Sequence, residues 1–224
     1  MMKYPFSLTF AFPRKVNTQS SSIHVPAPSS FRLLTEAERQ ASLQAAMSAL
    51  PRGQDIWIYG YGSLIWRPEF EFVERRHALL HGYHRSLCLW SRVNRGTPER
   101  PGLVFALDSG GSCRGVVFRI DQAHASQIMD ALWRREMPSG AYIPRWLNCR
   151  TENGNITALA FTMNRNTSGY VRSLPEEQLL HIVRTAHGSY GPCIDYVLET
   201  ADALERHGIV DKRLFAIARQ LRSA

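Results

Sequence analysis

Glycines alternate with tyrosines in the segment from Tyr59 to Leu64, which reads YGYGSL and follows a short apolar run from Ile56. Glycines at alternate positions let the backbone turn sharply and let a ligand approach main-chain N–H groups that a Cβ would shield. Successive N–H groups in such a loop can bind carboxylates or carbonyl oxygens. A plain turn at the end of a strand is the alternative interpretation. A dinucleotide fingerprint is excluded, because no third glycine follows at the required spacing and Arg67-Pro68 stands where the phosphate-binding helix should start.

Glu136 is the second candidate, at the end of a helix predicted from a cap at Asp121 to about Arg135. Position 136 continues an apolar stripe, so the helix would deliver a carboxylate to its buried face, and Pro138 then ends the helix. A glutamate there is either paired with an arginine or partly desolvated, with a raised pKa suited to proton transfer. The alternative is a frayed helix end with Glu136 turned to solvent. The stripe consists of Ala125, Ile128, Met129 and Leu132.

The other polar residues are weaker candidates. The eight histidines include no pair at i, i+4 on a credible helix face. Ser63 is not in a GxSxG motif and has no evident Asp or His partner, which argues against a serine hydrolase. The four cysteines lie far apart, without CxxC or a histidine at metal spacing. They therefore predict neither a zinc site nor a disulfide framework, and they favour reduced thiols in a cytosolic setting.

Positive charge exceeds negative charge in this chain. The 27 Lys and Arg residues against 19 Asp and Glu residues give a formal net charge of +8. Such an excess favours anionic partners, which include nucleic acid, an anionic membrane surface and a small acidic substrate. The basic residues are scattered rather than clustered in a tail, which weakens the nucleic-acid interpretation. No apolar stretch is long enough to predict a membrane span, and residues 1–14 do not resemble a signal peptide.

The chain divides into a predicted leader and one predicted domain. Residues 1–31 are expected to be flexible, because they include a long stretch rich in serine, proline and other polar residues. Residues 32–224 are expected to form a single domain. The domain begins with a helix from about Thr35 to about Leu50, with Thr35 as the N-cap and Glu38 three residues later, as in a capping box.

Strand-like segments follow this helix, and more helices come towards the end. Gly82 interrupts a long strand-like segment and predicts a bulge or bend. A capping box from Ser173 to Glu176 predicts a helix that runs to about Ala186. Strands first and helices mostly later predict an α+β fold built on a mixed, barrel-like sheet with flanking helices. The strands are predicted over 56–61, 77–91, 103–107, 114–120, 145–150 and 155–163, with turns at 108–111 and 152–154, and the last helices over 192–207 and 211–222.

Several motifs occur together and in a fixed order. They are WIYGYGSLIW at 57–66, GYHR at 82–85, RGT at 95–97 with PG at 101–102, GVVFR at 115–119, LWRREM at 132–137, GAY at 140–142 and PRWL at 144–147. This set resembles the ChaC-type, glutathione-specific γ-glutamylcyclotransferases, and the bacterial branch is the most similar. The resemblance covers roughly residues 32–222, which is most of the chain.

The resemblance implies both a fold and a site. The fold is the γ-glutamylcyclotransferase fold, a small mixed β-barrel with flanking helices. Glu136 would be the catalytic acid/base, in agreement with the helix periodicity, and the glycine-rich loop would bind the γ-glutamyl group. Tyrosine hydroxyls would add hydrogen-bond donors. The predicted substrate-binding residues are Ile58, Tyr59, Gly60, Tyr61, Gly62, Ser63, Leu64, Tyr142 and Tyr196.

The implied activity is the release of 5-oxoproline and Cys-Gly from glutathione, a cyclisation that requires neither cofactor nor metal. Three alternatives stay open: a cyclotransferase for other γ-glutamyl amines or dipeptides, a catalytically inactive binding module on the same fold, and a basic nucleic-acid binder. The presence of both the loop and Glu136 argues against the inactive module. The expected setting is cytoplasmic, with a small-molecule substrate and neither a nucleic-acid nor a membrane partner. The sequence predicts no oligomeric state.

Overall fold

A closed barrel of five β-strands forms the centre of the molecule. The strands are β1 Trp57–Gly60, β2 Glu74–Ser91, β3 Gly102–Arg119, β4 Tyr142–Thr151 and β5 Gly154–Met163. In the computed structural model, which describes residues 25, 27, 31–50 and 53–223, they lie around the barrel in the order β1-β3-β2-β4-β5. Strands that are neighbours in this order pair antiparallel. In addition, β1 and β3 each pair with β5 in parallel, at Ile58 with Leu159 and at Leu107 with Thr162. The barrel-like mixed sheet predicted from the sequence is confirmed.

Helices flank the barrel. They are α1 Glu36–Ser48, α2 Ala125–Glu136, α3 Glu176–Thr185, α4 Cys193–Arg206 and α5 Lys212–Arg222. A two-stranded ribbon of β6 His187–Gly188 and β7 Gly191–Pro192 lies between α3 and α4. All five helices were predicted, with ends that differ by a few residues, so the α+β class is confirmed.

The turn predicted at 108–111 is wrong, because β3 runs through it without a break. Gly110 and Gly111 have φ values of +101° and +71°, and Gly82 on β2 has a φ of +84°. The pairing of β2 with β3 shifts register between His81 and Tyr83, which places Gly82 opposite these two glycines. Left-handed conformations of this kind are open to glycine without steric cost. The glycines therefore form a bulge in which two residues of β3 oppose one residue of β2. The bulge or bend predicted at Gly82 is confirmed, with the extra residue on β3.

The two predicted capping boxes have different outcomes. At α1, the Thr35 hydroxyl accepts from the Glu38 backbone N–H at 3.2 Å, and the Glu38 carboxylate accepts from the Thr35 N–H at 2.8 Å. This capping box is confirmed. The box predicted at Ser173 is wrong, because the N-cap of α3 is Pro175 and no side chain caps the helix. Ser173 lies two residues before this N-cap, so it does not occupy the position from which a side chain caps the first free N–H groups.

The apolar stripe of α2 packs on one side of the barrel. Met129, Leu132 and Trp133 are buried in one cluster with Ile58 and with residues of β5. The Trp133 indole N–H donates to the Ser42 hydroxyl at 3.3 Å, which ties α2 to α1. This packing carries the last residue of α2, Glu136, to the barrel end at which β1 leaves the sheet.

Two further predictions from the sequence concern the flexible leader and membrane-spanning segments. The flexible leader predicted for residues 1–31 lies outside the described residues, apart from positions 25, 27 and 31. Among the helices in the described ranges, none is both long and apolar enough to cross a membrane.

Candidate active site

A cavity of about 290 Å³, a volume that includes space open to solvent, lies where the loop after β1 meets the end of α2. Residues from the barrel strands β3, β4 and β5 and from α4 complete its wall. The lining residues are Tyr61, Gly62, Ser63, Leu64, Phe105, Glu136, Tyr142, Phe161 and Tyr196.

The glycine-rich segment forms a tight loop that leads directly from β1 into a 3₁₀ turn at Ser63–Ile65. Within the described chain, the backbone N–H groups of Gly62, Ser63 and Leu64 donate no hydrogen bond, whereas those of the next two residues bond back to Gly62 and Ser63. A Cβ at Gly62 would lie 3.3 Å from the hydroxyl oxygen of Tyr196. The loop thus presents unshielded N–H groups beside the cavity, as the alternating glycines predicted.

Glu136 faces the cavity from the last position of α2, with its side chain 14% exposed. Its Oε1 lies 3.0 Å from Nε of Arg135. Burial raises the pKa of the Glu136 carboxyl, and the neighbouring Arg135 opposes this shift without cancelling it. Pairing with an arginine and desolvation, which were alternatives in the sequence, therefore occur together. The outward-facing alternative is wrong.

Three tyrosine hydroxyls surround this carboxyl. Tyr61 donates to the Phe161 carbonyl at 3.0 Å, and Tyr142 donates to the Phe105 carbonyl at 3.2 Å. Tyr196 accepts from the Phe105 backbone N–H at 3.1 Å. Burial raises the pKa of each of these phenols, so all three are protonated at neutral pH. The cavity thus combines one buried carboxyl with three neutral tyrosine hydroxyls and the hydroxyl of Ser63.

Seven of the ten predicted site residues line the cavity, and three lie behind it. Ile58 and Tyr59 are fully buried in β1, and Gly60 pairs with Val116 across the sheet. The Tyr59 hydroxyl donates to the Cys113 carbonyl at 2.8 Å, away from the cavity. These residues support the loop from within the barrel and do not form its surface.

Three residues near the cavity were not singled out from the sequence. Phe105 and Phe161 are ordinary core-type residues of β3 and β5, and only the closed barrel brings them to the wall. Arg135 directly precedes Glu136 in α2. Its guanidinium donates to the Ser63 hydroxyl at 3.0 Å. The sequence carries no local signal for this contact, because it depends on how α2 docks beside the loop after β1.

Metal ligands do not converge on this site. Over the described residues, the structure contains no group of three or more His, Cys, Asp or Glu side chains placed to hold an ion. The acid/base chemistry available to the cavity is that of its carboxyl and hydroxyl groups.

Comparison with known proteins identifies the family. A model of the ChaC-like protein family matches residues 56–224. The chain is 34% identical over 184 residues to the glutathione-specific γ-glutamylcyclotransferase of Escherichia coli (strain K12), with 81% of this chain and 80% of that protein covered. The chain belongs to the ChaC-like family. The resemblance seen in the ordered motifs, including its bacterial character, is confirmed.

Similar proteins also occur in eukaryotes. The chain is 30% identical over 177 residues to glutathione-specific γ-glutamylcyclotransferase 1 of Rattus norvegicus, covering 75% of this chain and 80% of that protein. A crystal structure of a γ-glutamyl cyclotransferase specific to glutathione from yeast superposes with a TM-score of 0.70 at 20% identity, covering 76% of this chain and 97% of that one. At that identity the superposition shows a shared fold. The family match begins at Ile56, immediately before β1, and so includes every residue that lines the cavity.

Proposed function

We propose that this protein degrades glutathione as a γ-glutamylcyclotransferase and releases 5-oxoproline and Cys-Gly. Family membership and the names of the bacterial and rat relatives support this substrate. The observation that carries the proposal is the buried carboxyl of Glu136 in a cavity whose other polar side chains are neutral hydroxyls. A cyclisation that moves one proton between two nitrogens requires one such group.

The reaction joins two atoms of the same substrate molecule. The α-amine of the γ-glutamyl residue forms a bond to its own γ-carbonyl carbon, and the amide bond from that carbon to the cysteinyl nitrogen then breaks. The protein must hold the amine against the carbonyl, and well-oriented intramolecular reactions reach effective molarities on the order of 10⁵ to 10⁸ M. The cavity walls provide this confinement without a cofactor.

Glu136 is the proton carrier in this scheme. The α-amine loses a proton as it attacks, and the cysteinyl nitrogen gains one as it leaves. A carboxylate with a raised pKa accepts the first proton and returns it to the leaving nitrogen, because its proton affinity lies closer to neutrality than that of an exposed glutamate. The net charge of the site is the same before and after the turnover.

The loop after β1 and Tyr196 stabilise negative charge. The free N–H groups of Gly62, Ser63 and Leu64 are suited to the substrate α-carboxylate or to the oxyanion that develops on the γ-carbonyl. The Tyr196 proton is available as a further donor, because the oxygen is held by the Phe105 N–H. Tyr142 would have to release the Phe105 carbonyl in order to donate.

We also propose that the protein works in the cytoplasm, as a cyclising lyase, and that residues 32–224 act as one domain. Four free, buried cysteines support a reducing compartment. A continuous apolar cluster that joins the barrel to α3, α4 and α5 supports the single domain.

Replacement of the carboxyl tests the function. Purified protein is incubated with glutathione, and 5-oxoproline and Cys-Gly are quantified. We expect Glu136→Gln to abolish release of both products while its circular dichroism spectrum matches the wild type. Glu71→Gln is the matched control, because Glu71 is an exposed glutamate with no ion pair in the described structure. Turnover by Glu136→Gln at the control's rate would remove Glu136 from this role.

A substrate panel separates glutathione from other γ-glutamyl compounds. The wild type is assayed in parallel with glutathione, γ-Glu-Ala and γ-Glu-ε-Lys at equal concentrations. We expect kcat/KM to be highest for glutathione. A preference for either of the other two compounds would support cyclotransferase chemistry but would show that glutathione is not the preferred substrate.

A further inference from the structure

Four charged side chains form a chain of ion pairs from the surface to Glu136. Arg67 Nε lies 2.6 Å from one carboxylate oxygen of Glu69, and the other oxygen lies 2.9 Å from Arg135. Arg135 Nε in turn lies 3.0 Å from Glu136. Glu69 and Glu136 thus share the guanidinium of Arg135, whereas the guanidinium of Arg67 pairs with Glu69 and not with Glu136.

Most of the N–H donors of Arg135 are held by neighbouring protein groups. The nitrogen that meets Glu69 also donates to the backbone carbonyls of Arg67 and Pro68, at 2.6 and 3.2 Å. The third nitrogen donates to Ser63 at 3.0 Å. Arg135 therefore uses at least four of its five N–H donors on protein neighbours. It is not among the residues that line the cavity, so its effect on the reaction passes through Glu136.

Glu69 holds an uncommon backbone conformation. Its φ is +59°, and it is the one non-glycine residue with positive φ in the part of the chain that the structure describes. Such a conformation is unfavourable for a glutamate and persists where the surroundings impose it. Here it turns the Glu69 side chain back towards both arginines.

We propose that Glu69 is a positioning residue for the reaction: by holding Arg135 against the 67–69 segment, it limits the pairing of Arg135 with Glu136 and keeps Glu136 able to take up a proton. This role in the reaction rests on the proposed function, and the ion-pair geometry is its evidence. Glu69 is 43% exposed, so water stabilises its negative charge together with the two guanidiniums, whereas Glu136 is largely buried.

The groups around Glu136 determine the sign of the effect. Tyr61, Tyr142 and Tyr196 face it from the loop after β1, from β4 and from α4, and they are neutral. The charged groups are Arg135, which lowers the Glu136 pKa, and Glu69, which raises it. Loss of the Glu69 charge removes a repulsion from ionised Glu136 and leaves Arg135 with one carboxylate in place of two. Both changes lower the pKa of Glu136.

The test measures the titration of Glu136 directly in the full-length protein. Glutamate is labelled with ¹³C at the carboxyl carbon, and the Glu136 signal is assigned by its absence from Glu136→Gln. We expect the midpoint to move to lower pH in Glu69→Gln and to remain at the wild-type value in Glu71→Gln. The acid limb of the kcat/KM profile for glutathione should move in the same direction in Glu69→Gln.

Two further variants separate charge from backbone conformation. Asp and Asn have the same shape, and both tolerate a left-handed backbone better than glutamate does. We expect Glu69→Asn to titrate like Glu69→Gln, and Glu69→Asp to lie closer to the wild type. These variants also keep the test valid if the glutamine variant folds poorly.

Each outcome decides between the hypotheses. An unchanged or raised Glu136 midpoint in both Glu69→Gln and Glu69→Asn would overturn the positioning role. Absence of 5-oxoproline from the wild type would instead overturn the proposed function, and the NMR titration would still report whether Glu69 controls Glu136.

Discussion

The hydroxyl oxygen of Tyr196 lies 3.1 Å from the backbone nitrogen of Phe105 and accepts its hydrogen bond. Tyr142 binds the same residue in the opposite sense, since its hydroxyl donates to the Phe105 carbonyl at 3.2 Å. The proton of Tyr142 is therefore committed, whereas that of Tyr196 is free to meet a ligand. Two tyrosines on one cavity wall thus have different chemical capacities.

Tyr196→Phe should affect both activity and stability. The variant loses the hydroxyl that the proposed mechanism uses as a donor to the reacting carbonyl, for which we expect kcat/KM to fall by about 10²-fold. It also leaves the buried Phe105 N–H without a partner, which costs about 1–3 kcal/mol. Steady-state assays and urea unfolding measure the two effects. Tyr142→Phe is the comparison and should have the smaller effect on kcat/KM, and equal losses in both variants would contradict the assignment of the free proton to Tyr196.

Gly62→Ala should impair catalysis more than folding. The added methyl would lie 3.3 Å from the Tyr196 hydroxyl and 3.8 Å from the Phe105 Cβ, so it would press on the cavity wall. Small displacements of reacting groups can cost up to about 10²-fold in rate. We expect kcat/KM for glutathione to fall by about tenfold or more, with little change in the urea midpoint. Gly140→Ala is the control, because a Cβ there meets nothing within 4 Å, and similar kinetics for the two variants would argue against a close loop–substrate contact.

Glu136→Gln should stabilise the fold at neutral pH. Burial raises the pKa of Glu136 above its unfolded value, so the folded chain binds this proton more tightly. The resulting stability is complete below the ordinary carboxyl range and is lost as the pH rises through the raised pKa. Glutamine resembles the protonated acid at every pH. The free energy of unfolding of the variant, minus that of the wild type, should therefore increase from acidic to neutral pH, and a decrease over that interval would show that pairing with Arg135 outweighs burial.

Periodicity was sufficient to predict Glu136 but not its neighbours. The stripe that ends at Glu136 repeats along one helix, so its direction depends on local geometry alone. Arg135 reaches Ser63 and Glu69 only because α2 docks beside the loop after β1, which is a tertiary event without a local signature. Phe105 likewise became a site residue through the closure of the barrel.

The predictions made from two glycine-rich stretches had different outcomes. The glycines of the YGYGSL segment were predicted to expose N–H groups, and three such groups do lie free beside the cavity. Gly110 and Gly111 were predicted to end a strand, yet they form a bulge opposite Gly82. A turn and a bulge can both use left-handed glycine, so the sequence of one strand does not distinguish them. The pairing with the partner strand decides whether the glycines form a turn or a bulge.

Arg85 links the fold to the loop that lines the cavity. Its side chain is 2% exposed, and it donates to the carbonyl of Tyr61 at 2.5 Å and to that of Arg114 at 2.6 Å. It also pairs with Asp211, the N-cap of α5. Because Tyr61 directly precedes Gly62, this arginine anchors the loop from inside the barrel.

Arg85→Met should destabilise the protein by about 3–5 kcal/mol, because it leaves Asp211 and two carbonyls without their buried partner. Asp211→Asn should cost less, since an amide oxygen can still accept from the Leu214 N–H that caps α5. Urea unfolding at neutral pH measures both changes. Arg150→Met provides the matched control, because Arg150 is exposed on β4 and makes no ion pair in the described structure. If the unfolding midpoint of Arg85→Met equalled that of this control, the anchoring role of Arg85 would be wrong.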